Sequence, residues 1–312
     1  MVSARSVALG DERSEGIGAP YPGEPDLVIQ LFAADPDEAA IAAVRLQQRY
    51  RPAAFDLNMG CPVRKVMHKG CGVQLMRRPE LAAAIVRAVG TATGLPVSTK
   101  MRLGPDAVIV DDAADAMVEA GAALVAVHGR TGVQKYAGEA DWAPIAALAA
   151  RLRVPVLGSG DVRSASDARM RRASGAGVMI ARGALGRPWI FREVRGGPRP
   201  AWPEVARTVR RHARLQAEWY GEERGVRSLR AHLEHYVRPY AEAASLRDRL
   251  VRATTVTEVD RILASSLTTN GGVPLVDLAP RSAAPHESSL RAHATMPRLQ
   301  VRAGVRRAPC LT

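Results

Sequence analysis

The sequence of 312 residues lacks the features that mark secreted, membrane-spanning and zinc-binding proteins. Its three cysteines, Cys61, Cys71 and Cys310, are too few for a disulfide scaffold, and they do not have the spacing of zinc ligands. No apolar run reaches the roughly 18 residues of a membrane span. The N-terminus also lacks the apolar core of a secretory signal. We therefore expect a cytoplasmic protein with no membrane segment and no structural metal.

Lysine is scarce as well, since only four of the 44 basic residues are lysines. An ammonium group is a compact charge, whereas the guanidinium of arginine is a planar fork. A lysine in such an arginine-rich chain therefore points to a position that needs a compact charge. Lys65 and Lys69 follow Cys61 closely, Lys100 ends a predicted strand, and Lys135 is the fourth.

The overall charge is strongly positive, because the 44 basic residues outnumber 31 acidic ones and leave a net charge of +13. A basic surface favours polyanions, and nucleic acid first among them. The arginine-rich composition of a GC-rich genome explains the same excess, so charge alone does not decide the partner.

From residue 26 onward, short apolar segments bounded by turn residues alternate with amphipathic segments. The apolar segments are strand candidates: Leu27–Leu31, Phe55–Leu57, Pro96–Lys100, Leu124–Val127, Val154–Leu157 and Gly177–Ile180. The amphipathic segments are helix candidates: Asp35–Arg49, Pro79–Val89, Asp111–Ala120, Trp142–Ala150 and Ala165–Ala173. This alternation predicts a parallel sheet with helices outside it.

Polar residues follow nearly every predicted strand at its C-terminal end, among them Asn58, Lys100, His128, Ser159 and Arg182. In a (β/α)8 TIM barrel these ends converge on one face, where active sites lie, whereas a doubly wound sheet concentrates them at one switch point. The first unit also lacks the Gly-x-Gly-x-x-Gly of dinucleotide-binding sheets. We therefore predict an α/β fold of the TIM-barrel type. Because only six strands are visible, the first two βα units are expected to be missing.

The remaining segments differ in composition from this partial barrel, which we assign to residues 26–198. Residues 1–25 are rich in glycine, proline and charge and are expected to form a disordered lead-in. Residues 199–265 have three or four amphipathic helices, with glycines in a turn between the first two, and are assigned to a small helical domain. The basic residues 266–312 are expected to form a disordered tail.

The turn that carries Cys61 is the first motif with possible chemistry. It spans Asn58-Met-Gly-Cys-Pro62, follows a strand and presents the thiol at the barrel mouth; a small buried cysteine is the alternative. The basic loop 65–72 is either a lid that touches phosphate or a solvated loop. Lys100 and Arg102 share one face of a strand end, since alternate residues point the same way. Two cations there need an anion or an electron-rich ring, unless both are solvated.

The later strand ends carry a histidine and two glycine-containing loops. A lone histidine is more often structural than catalytic, but His128 shares its strand end with Arg130. The loops Gly158-Ser-Gly-Asp161 and Ala181-Arg-Gly-Ala184 end the last two strands. TIM barrels frequently bind phosphate there through backbone N–H groups, which glycine lets a ligand approach closely.

The order and spacing of these motifs resemble the tRNA-dihydrouridine synthase family over about residues 26–265. Residues 218–225 are similar to the start of that family's helical RNA-binding domain. The other matching segments are Val28–Leu31, Asp56–Pro62, Lys65–Val66, Lys69–Gly70, Thr99–Gly104, Val127–Thr131, Ala140–Trp142, Pro155–Asp161, Met179–Gly183 and Gly186–Phe191.

The resemblance implies a monomeric flavoenzyme that reduces uridine in tRNA to 5,6-dihydrouridine. FMN would lie at the C-terminal face of the barrel and be reduced by NADPH, and the uridine would have to leave the tRNA stack. Cys61 would be the general acid that protonates C5. The other implied roles are flavin contacts for Gln30, Lys100 and His128, FMN phosphate contacts for Ser159, Gly160, Asp161, Ala181 and Arg182, and uracil contacts for Asn58 and Arg130.

The sequence departs from the family pattern in places that leave other functions open. Ser159 and Ala181 stand where the family usually has Asn and Gly, which is expected to weaken FMN binding without abolishing it. Cys71 replaces a small residue, and the family's first strand and its Pro-Met-Ala-Gly-like loop are expected to be absent. One alternative is a flavoenzyme like dihydroorotate or dihydropyrimidine dehydrogenase, and another is a truncated, inactive remnant. The basic helical domain favours an RNA substrate.

Overall fold

The computed structural model describes residues 1–239 and 243–265, so Cys310 and the predicted tail lie outside the described residues. Within them, seven parallel strands form one sheet in the order of the sequence. This order, with a helix after most strands, is that of a TIM barrel. The strands are β1 (Val2–Ser3), β2 (Val28–Phe32), β3 (Ala54–Met59), β4 (Val97–Arg102), β5 (Leu124–His128), β6 (Val156–Ser159) and β7 (Gly177–Val178).

The helices that accompany the sheet begin and end where local sequence signals place them. The Asp35 side chain accepts a hydrogen bond from Glu38 N at 2.9 Å, and Pro36 occupies the first turn of the third helix. The same helix ends at Tyr50 and is capped by Arg51, which has a left-handed φ of 49°. The helices are α1 (Ala4–Ala8), α2 (Glu12–Glu15), α3 (Pro36–Tyr50), α4 (Arg64–Met67), α5 (Pro79–Thr93), α6 (Val110–Glu119), α7 (Ala143–Arg151), α8 (Ala165–Arg172) and α9 (Ile190–Val194).

The expectation of a disordered lead-in and of six strands is corrected at the N-terminus. Val2 and Ser3 pair with Leu31 and Phe32 and form the additional strand β1, in which only Val2 is apolar, so the sequence shows no apolar segment there. Two short helices follow it. Glu15 is buried between two arginines of α3 and fixes this segment to the barrel. The prediction that both βα units before β2 are missing is therefore wrong, because one strand and two short α-helices precede β2.

A second apolar core belongs to four helices after the barrel, α10 (Trp202–Tyr220), α11 (Glu222–Val237), α12 (Ala243–Leu250) and α13 (Val256–Ser265). Gly221, with a φ of 81°, forms the turn between α10 and α11. Gly225 was expected in that turn but lies inside α11. A Cβ there would come within 2.3 Å of the Gln216 carbonyl oxygen, so glycine allows the two helices to approach closely. Within the described residues, no helix is long and apolar enough to cross a membrane.

Candidate functional site

Polar side chains line one face of the central strands, at positions that pair with each other across adjacent strands. The residues that alternate with them, such as Phe55 and Met101, belong to the apolar core. The arrangement brings together five residues that the sequence singled out, Gln30, Asn58, Lys100, His128 and Ser159. The register gives three polar rows, with Gln30, Asp56 and Ser98 in the first, Asn58 and Lys100 in the second, and Arg102, His128 and Ser159 in the third.

Asp56 is the centre of a hydrogen-bond network on this face. Its two carboxylate oxygens accept from Ser98 Oγ and Gln30 Nε2, both at 2.6 Å. Asn58 Nδ2 in turn donates to Gln30 Oε1 at 3.0 Å. Burial raises the pKa of Asp56, although both hydrogen bonds and the nearby Lys100 oppose the shift. The network fixes the orientation of the Asn58 amide, and with it the turn that follows.

The turn that carries Cys61 is held from both sides through its backbone. Asn58 Oδ1 accepts from the backbone N–H groups of Gly60 and Cys61, at 3.3 and 3.0 Å. The Cys61 carbonyl accepts from Val73 N at 3.2 Å. Gly72 lies against that carbonyl with a φ of 65°, and a Cβ there would be only 2.6 Å from the oxygen. The side chain of Cys61 remains partly exposed. The thiol is therefore presented from a fixed backbone rather than packed in the core.

Cys71 is a contrasting thiol a short distance along the same segment. It is buried, and its Sγ contacts the Lys69 carbonyl oxygen at 3.5 Å. Burial raises the pKa of Cys71 to about 11, with a smaller opposing effect of the Lys69 charge. Cys71 is thus unsuited to giving up a proton near neutral pH. Lys65 and Lys69 are both exposed on this loop, so the choice between a lid and a solvated loop stays open.

Lys100 is a cation on the polar face, and its pKa is lower than that of an ordinary lysine. Burial and the neighbouring Arg102 lower the pKa of Lys100 to about 8, while Asp56 acts in the opposite direction. Among the described residues, the ammonium group has no hydrogen-bond or ion-pair partner. A largely buried cation without a partner fits an electron-rich ring or an anion at this position.

His128 is neutral at physiological pH. Burial, followed by the charges of Arg102, Lys100, Arg130 and Arg182, lowers the pKa of His128 to about 3. Arg130 Nη1 lies 3.4 Å from His128 Nε2. Because a guanidinium group only donates, Nε2 is the acceptor and the ring proton is on Nδ1.

The lowered pKa of His128 predicts a loss of stability in acid. Between its unfolded pKa of 6.5 and its folded pKa of about 3, the unfolded chain binds a proton that the folded chain does not. The free energy of unfolding therefore decreases as pH falls through this range. Glutamine cannot take up that proton, so the free energy of unfolding of His128→Gln should improve relative to the parent between pH 7 and pH 4. Urea titrations at each pH measure the difference, and a difference that is independent of pH contradicts a half-buried, neutral His128.

Arg102 connects the Cys61 turn to the loop that follows β5. Its side chain is buried; Nε donates to Gly60 O at 3.0 Å, and Nη1 donates to the carbonyls of Thr131 and Lys135, both at 2.8 Å. Burial lowers the pKa of Arg102, yet a guanidinium group stays charged in proteins. Three carbonyl oxygens therefore replace the water that this cation has lost.

Arg130 is held inside the protein rather than on the open side of the site. Only 1% of its side chain is exposed. Nε donates to Ala137 O at 3.0 Å, and Nη2 donates to Gly138 O at 2.5 Å and to Asp161 Oδ2 at 2.6 Å. These bonds occupy the guanidinium group, so a uracil contact for Arg130 stays a prediction that would require the loop to rearrange.

Asp161 joins this cluster from the loop after β6. Burial acts to raise its pKa, but the hydrogen bonds from Arg130 and Ala140 N, together with the charges of Arg130 and Arg163, outweigh burial and leave the pKa lowered. Arg182 and Arg163 lie 3.5 and 3.8 Å from its other oxygen, Oδ1. The carboxylate is therefore ionised and paired with cations, and its side chain is not a group that would receive a phosphate.

The backbone of the loops after β6 and β7 has the features of an anion site. Among the described residues, the N–H groups of Gly160, Asp161, Arg182 and Gly183 donate to no protein acceptor. Gly160 has a φ of 126°, and a Cβ there would lie 2.4 Å from the Ala140 side chain. Ser159 is buried at the end of β6, and Ala181 is exposed before a short 3-10 helix. Free N–H groups beside the half-exposed guanidinium of Arg182 fit a phosphate group.

Several residues of the site were not identified as site residues from the sequence. Asp56 and Ser98 were visible as alternate polar positions within strands, a signal that the strand periodicity carries. Trp142, whose Nε1 donates to Gly160 O at 3.1 Å, and Tyr136, whose ring lies near His128, gave no such signal. Their roles depend on contacts between loops that are distant in the sequence.

Comparison with known proteins places the chain in a family. A family model described as "Dihydrouridine synthase (Dus)" matches residues 1–270. The chain belongs to the dihydrouridine synthase family. It is 37% identical over 299 residues to the "Probable tRNA-dihydrouridine synthase" of Mycobacterium leprae, covering 89% of this chain and 76% of that protein.

Two further relatives agree with this membership of the dihydrouridine synthase family. The protein of the same name from Mycobacterium tuberculosis is 39% identical over 271 residues, covering 80% of this chain and 68% of that protein. The "tRNA-dihydrouridine synthase B" of Xanthomonas axonopodis pv. citri is 38% identical over 247 residues, covering 75% of this chain and 74% of that protein.

Proposed function

We propose that this chain is a tRNA-dihydrouridine synthase that reduces a uridine of tRNA to 5,6-dihydrouridine with FMN and NADPH. The observation that carries the proposal is that a fixed, partly exposed Cys61 closely follows β3, and that the next two strands of the sheet, β4 and β5, carry Lys100 and His128 on the polar face. Membership of the dihydrouridine synthase family and the names of the relatives support the same reaction. The proposal includes a cytoplasmic location, because tRNA is the substrate.

The residues of this face and of the adjacent loops fit FMN. The free backbone N–H groups after β6 and β7, with Arg182, would hold the phosphate, and Lys100 and neutral His128 would face the flavin ring. FMN, when bound and reduced by NADPH, supplies the hydride that adds to C6 of uracil. Gln30 and Asn58 would act mainly through the Asp56 network, which fixes the Cys61 turn.

Cys61 completes the reduction by delivering a proton. As a hydride adds to C6 and the C5–C6 double bond is lost, negative charge develops at C5, and the Cys61 Sγ–H transfers its proton there. The thiolate is then reprotonated from solvent, which the partial exposure of Cys61 permits. Cys71 is buried and has a raised pKa, so it does not perform this step.

Complementation tests the proposed function. We expect the chain to restore dihydrouridine in the tRNA of a bacterial strain that lacks its own dihydrouridine synthases, and the purified protein to show a flavin absorbance spectrum. Dihydrouridine in digested tRNA is quantified by mass spectrometry. Unmodified tRNA from cells that contain soluble, flavin-loaded protein contradicts the proposal. A dehydrogenase acting on dihydroorotate or a free pyrimidine is then tested with those substrates.

Binding of tRNA should depend on exposed arginines of the helical domain. Arg227 is exposed on α11 and Arg238 is exposed at the C-cap of that helix, whereas Arg230 is half-buried and its Nη2 contacts Ala253 O at 3.5 Å. Each phosphate contact that is lost lowers the salt slope of binding by about one. We therefore expect Arg227→Gln and Arg238→Gln to weaken tRNA binding and reduce the slope, and Arg230→Gln to have a smaller effect.

Filter binding or fluorescence anisotropy between low and physiological salt measures these slopes. Arg87→Gln makes the same charge change on an exposed position of α5, away from the helical domain, and is the matched control. Affinities and slopes equal to those of Arg87→Gln would show that these arginines are simply solvated.

A further inference from the structure

The loop of residues 131–139, here named the β5 loop, is held by two buried arginines. Their guanidinium groups bind four of its carbonyl oxygens, those of Thr131 and Lys135 through Arg102 and those of Ala137 and Gly138 through Arg130. Lys135 adopts a left-handed φ of 51°. Hydrogen bonds to charged groups are the stronger kind, so this loop is fixed more firmly than an ordinary surface loop.

Tyr136 projects from this fixed loop beside the polar face. Its ring centroid lies 4.8 Å from the guanidinium carbon of Arg182, 5.6 Å from that of Arg102 and 6.2 Å from the His128 ring. Despite these three neighbours, Tyr136 is 58% exposed. A ring that only shielded the two cations would be covered by them, whereas much of this ring remains open to a ligand.

We propose that Tyr136 is the surface on which a base of the RNA substrate stacks at the entrance to the site, an inference that rests on the proposed function. Every base has a π face, and stacking on an exposed aromatic side chain contributes about 1–3 kcal/mol per base. The guanidinium of Arg182, which would hold the FMN phosphate, lies beside the ring and helps to fix its position next to the cofactor site. Because the β5 loop is already fixed, little conformational entropy is lost when the base binds.

Three substitutions distinguish a role of the aromatic ring from a role of the hydroxyl group and from a general effect of changing the loop. Tyr136→Phe keeps the π face, Tyr136→Leu keeps apolar bulk without it, and Val133→Ala changes another exposed apolar residue of the same loop. With FMN-loaded protein and an unmodified tRNA transcript, we expect Tyr136→Leu to raise KM for tRNA about 5- to 150-fold with little change in kcat. Tyr136→Phe and Val133→Ala should stay within about twofold of the parent.

The other outcomes overturn the inference without affecting the proposed function, which requires only that the parent form dihydrouridine. If Tyr136→Leu has the parent KM, no base stacks on the ring. If it loses flavin affinity in a fluorescence titration while KM for tRNA is unchanged, the ring faces FMN instead. If Tyr136→Phe behaves like Tyr136→Leu, the hydroxyl group and not the ring is used. A parent that forms no dihydrouridine contradicts the proposed function itself.

Discussion

Replacing Cys61 by alanine should leave a protein that binds FMN and oxidises NADPH but forms almost no dihydrouridine. The turn is held by Asn58 and Val73 through backbone groups that alanine retains, so the substitution removes only the thiol. A positioned general acid typically contributes a factor of about 10²–10⁴ to the rate. We expect dihydrouridine formation to fall by a factor in that range while flavin content stays the same.

Cys71→Ala is the matched control for this experiment, because it removes a thiol that is buried and has a raised pKa. It should form dihydrouridine at close to the parental rate, with a modest loss of stability. The assay measures dihydrouridine in tRNA together with tRNA-independent NADPH oxidation. Parental product formation by Cys61→Ala, or a loss in Cys71→Ala that matches it, would mean that Cys61 is not the proton donor.

Replacing Arg130 by methionine should unfold or strongly destabilise the barrel mouth. The substitution removes the buried guanidinium that binds the Asp161 carboxylate and the carbonyls of Ala137 and Gly138, although Ala140 N and Arg182 remain near the carboxylate. Breaking a buried ion pair by removing one partner typically costs about 3–5 kcal/mol. We expect a loss of that order in the free energy of unfolding, measured by urea denaturation, together with weaker FMN binding.

Arg163→Met is the corresponding control, because Arg163 approaches the same carboxylate at 3.8 Å from a side chain that is 41% exposed. Exposed ion pairs contribute at most about 1 kcal/mol, so its stability should be close to that of the parent. Suppose instead that Arg130→Met keeps parental stability and flavin content and raises only KM for tRNA. Arg130 would then contact uracil, as the family resemblance implies, and the β5 loop would rearrange in the complex.

The sheet could be predicted from the sequence wherever a strand lies in an apolar segment bounded by turn residues. The six strands from β2 to β7 were predicted because apolar segments and turn residues alternate regularly there. β1 has only two residues and is defined by its pairing with Leu31 and Phe32, which no local pattern reveals. Glu15 similarly reads as a solvated charge, although in the structure it is buried against Arg45 and Arg49.

The candidate site was predictable where its residues follow strands and was not where they depend on loop contacts. Lys100 and His128 end strands, and parallel strand ends converge by geometry. The separate environments of Cys61 and Cys71, one partly exposed and one buried, depend on how the segment after β3 folds back through Gly72. The burial of Arg130 depends on the β5 loop closing over it, so its pairing with Asp161 was not visible in the sequence.

The most direct test of the account is the stoichiometry of the reaction catalysed by the purified, FMN-loaded protein. An unmodified tRNA transcript and NADPH are incubated with it, NADPH consumption is followed by absorbance, and dihydrouridine is counted by mass spectrometry. We predict tRNA-dependent consumption with one dihydrouridine formed for each NADPH oxidised above the background without tRNA. NADPH oxidation that tRNA does not stimulate, with no dihydrouridine in the transcript, would contradict the assignment of the polar face as a uridine-reducing site.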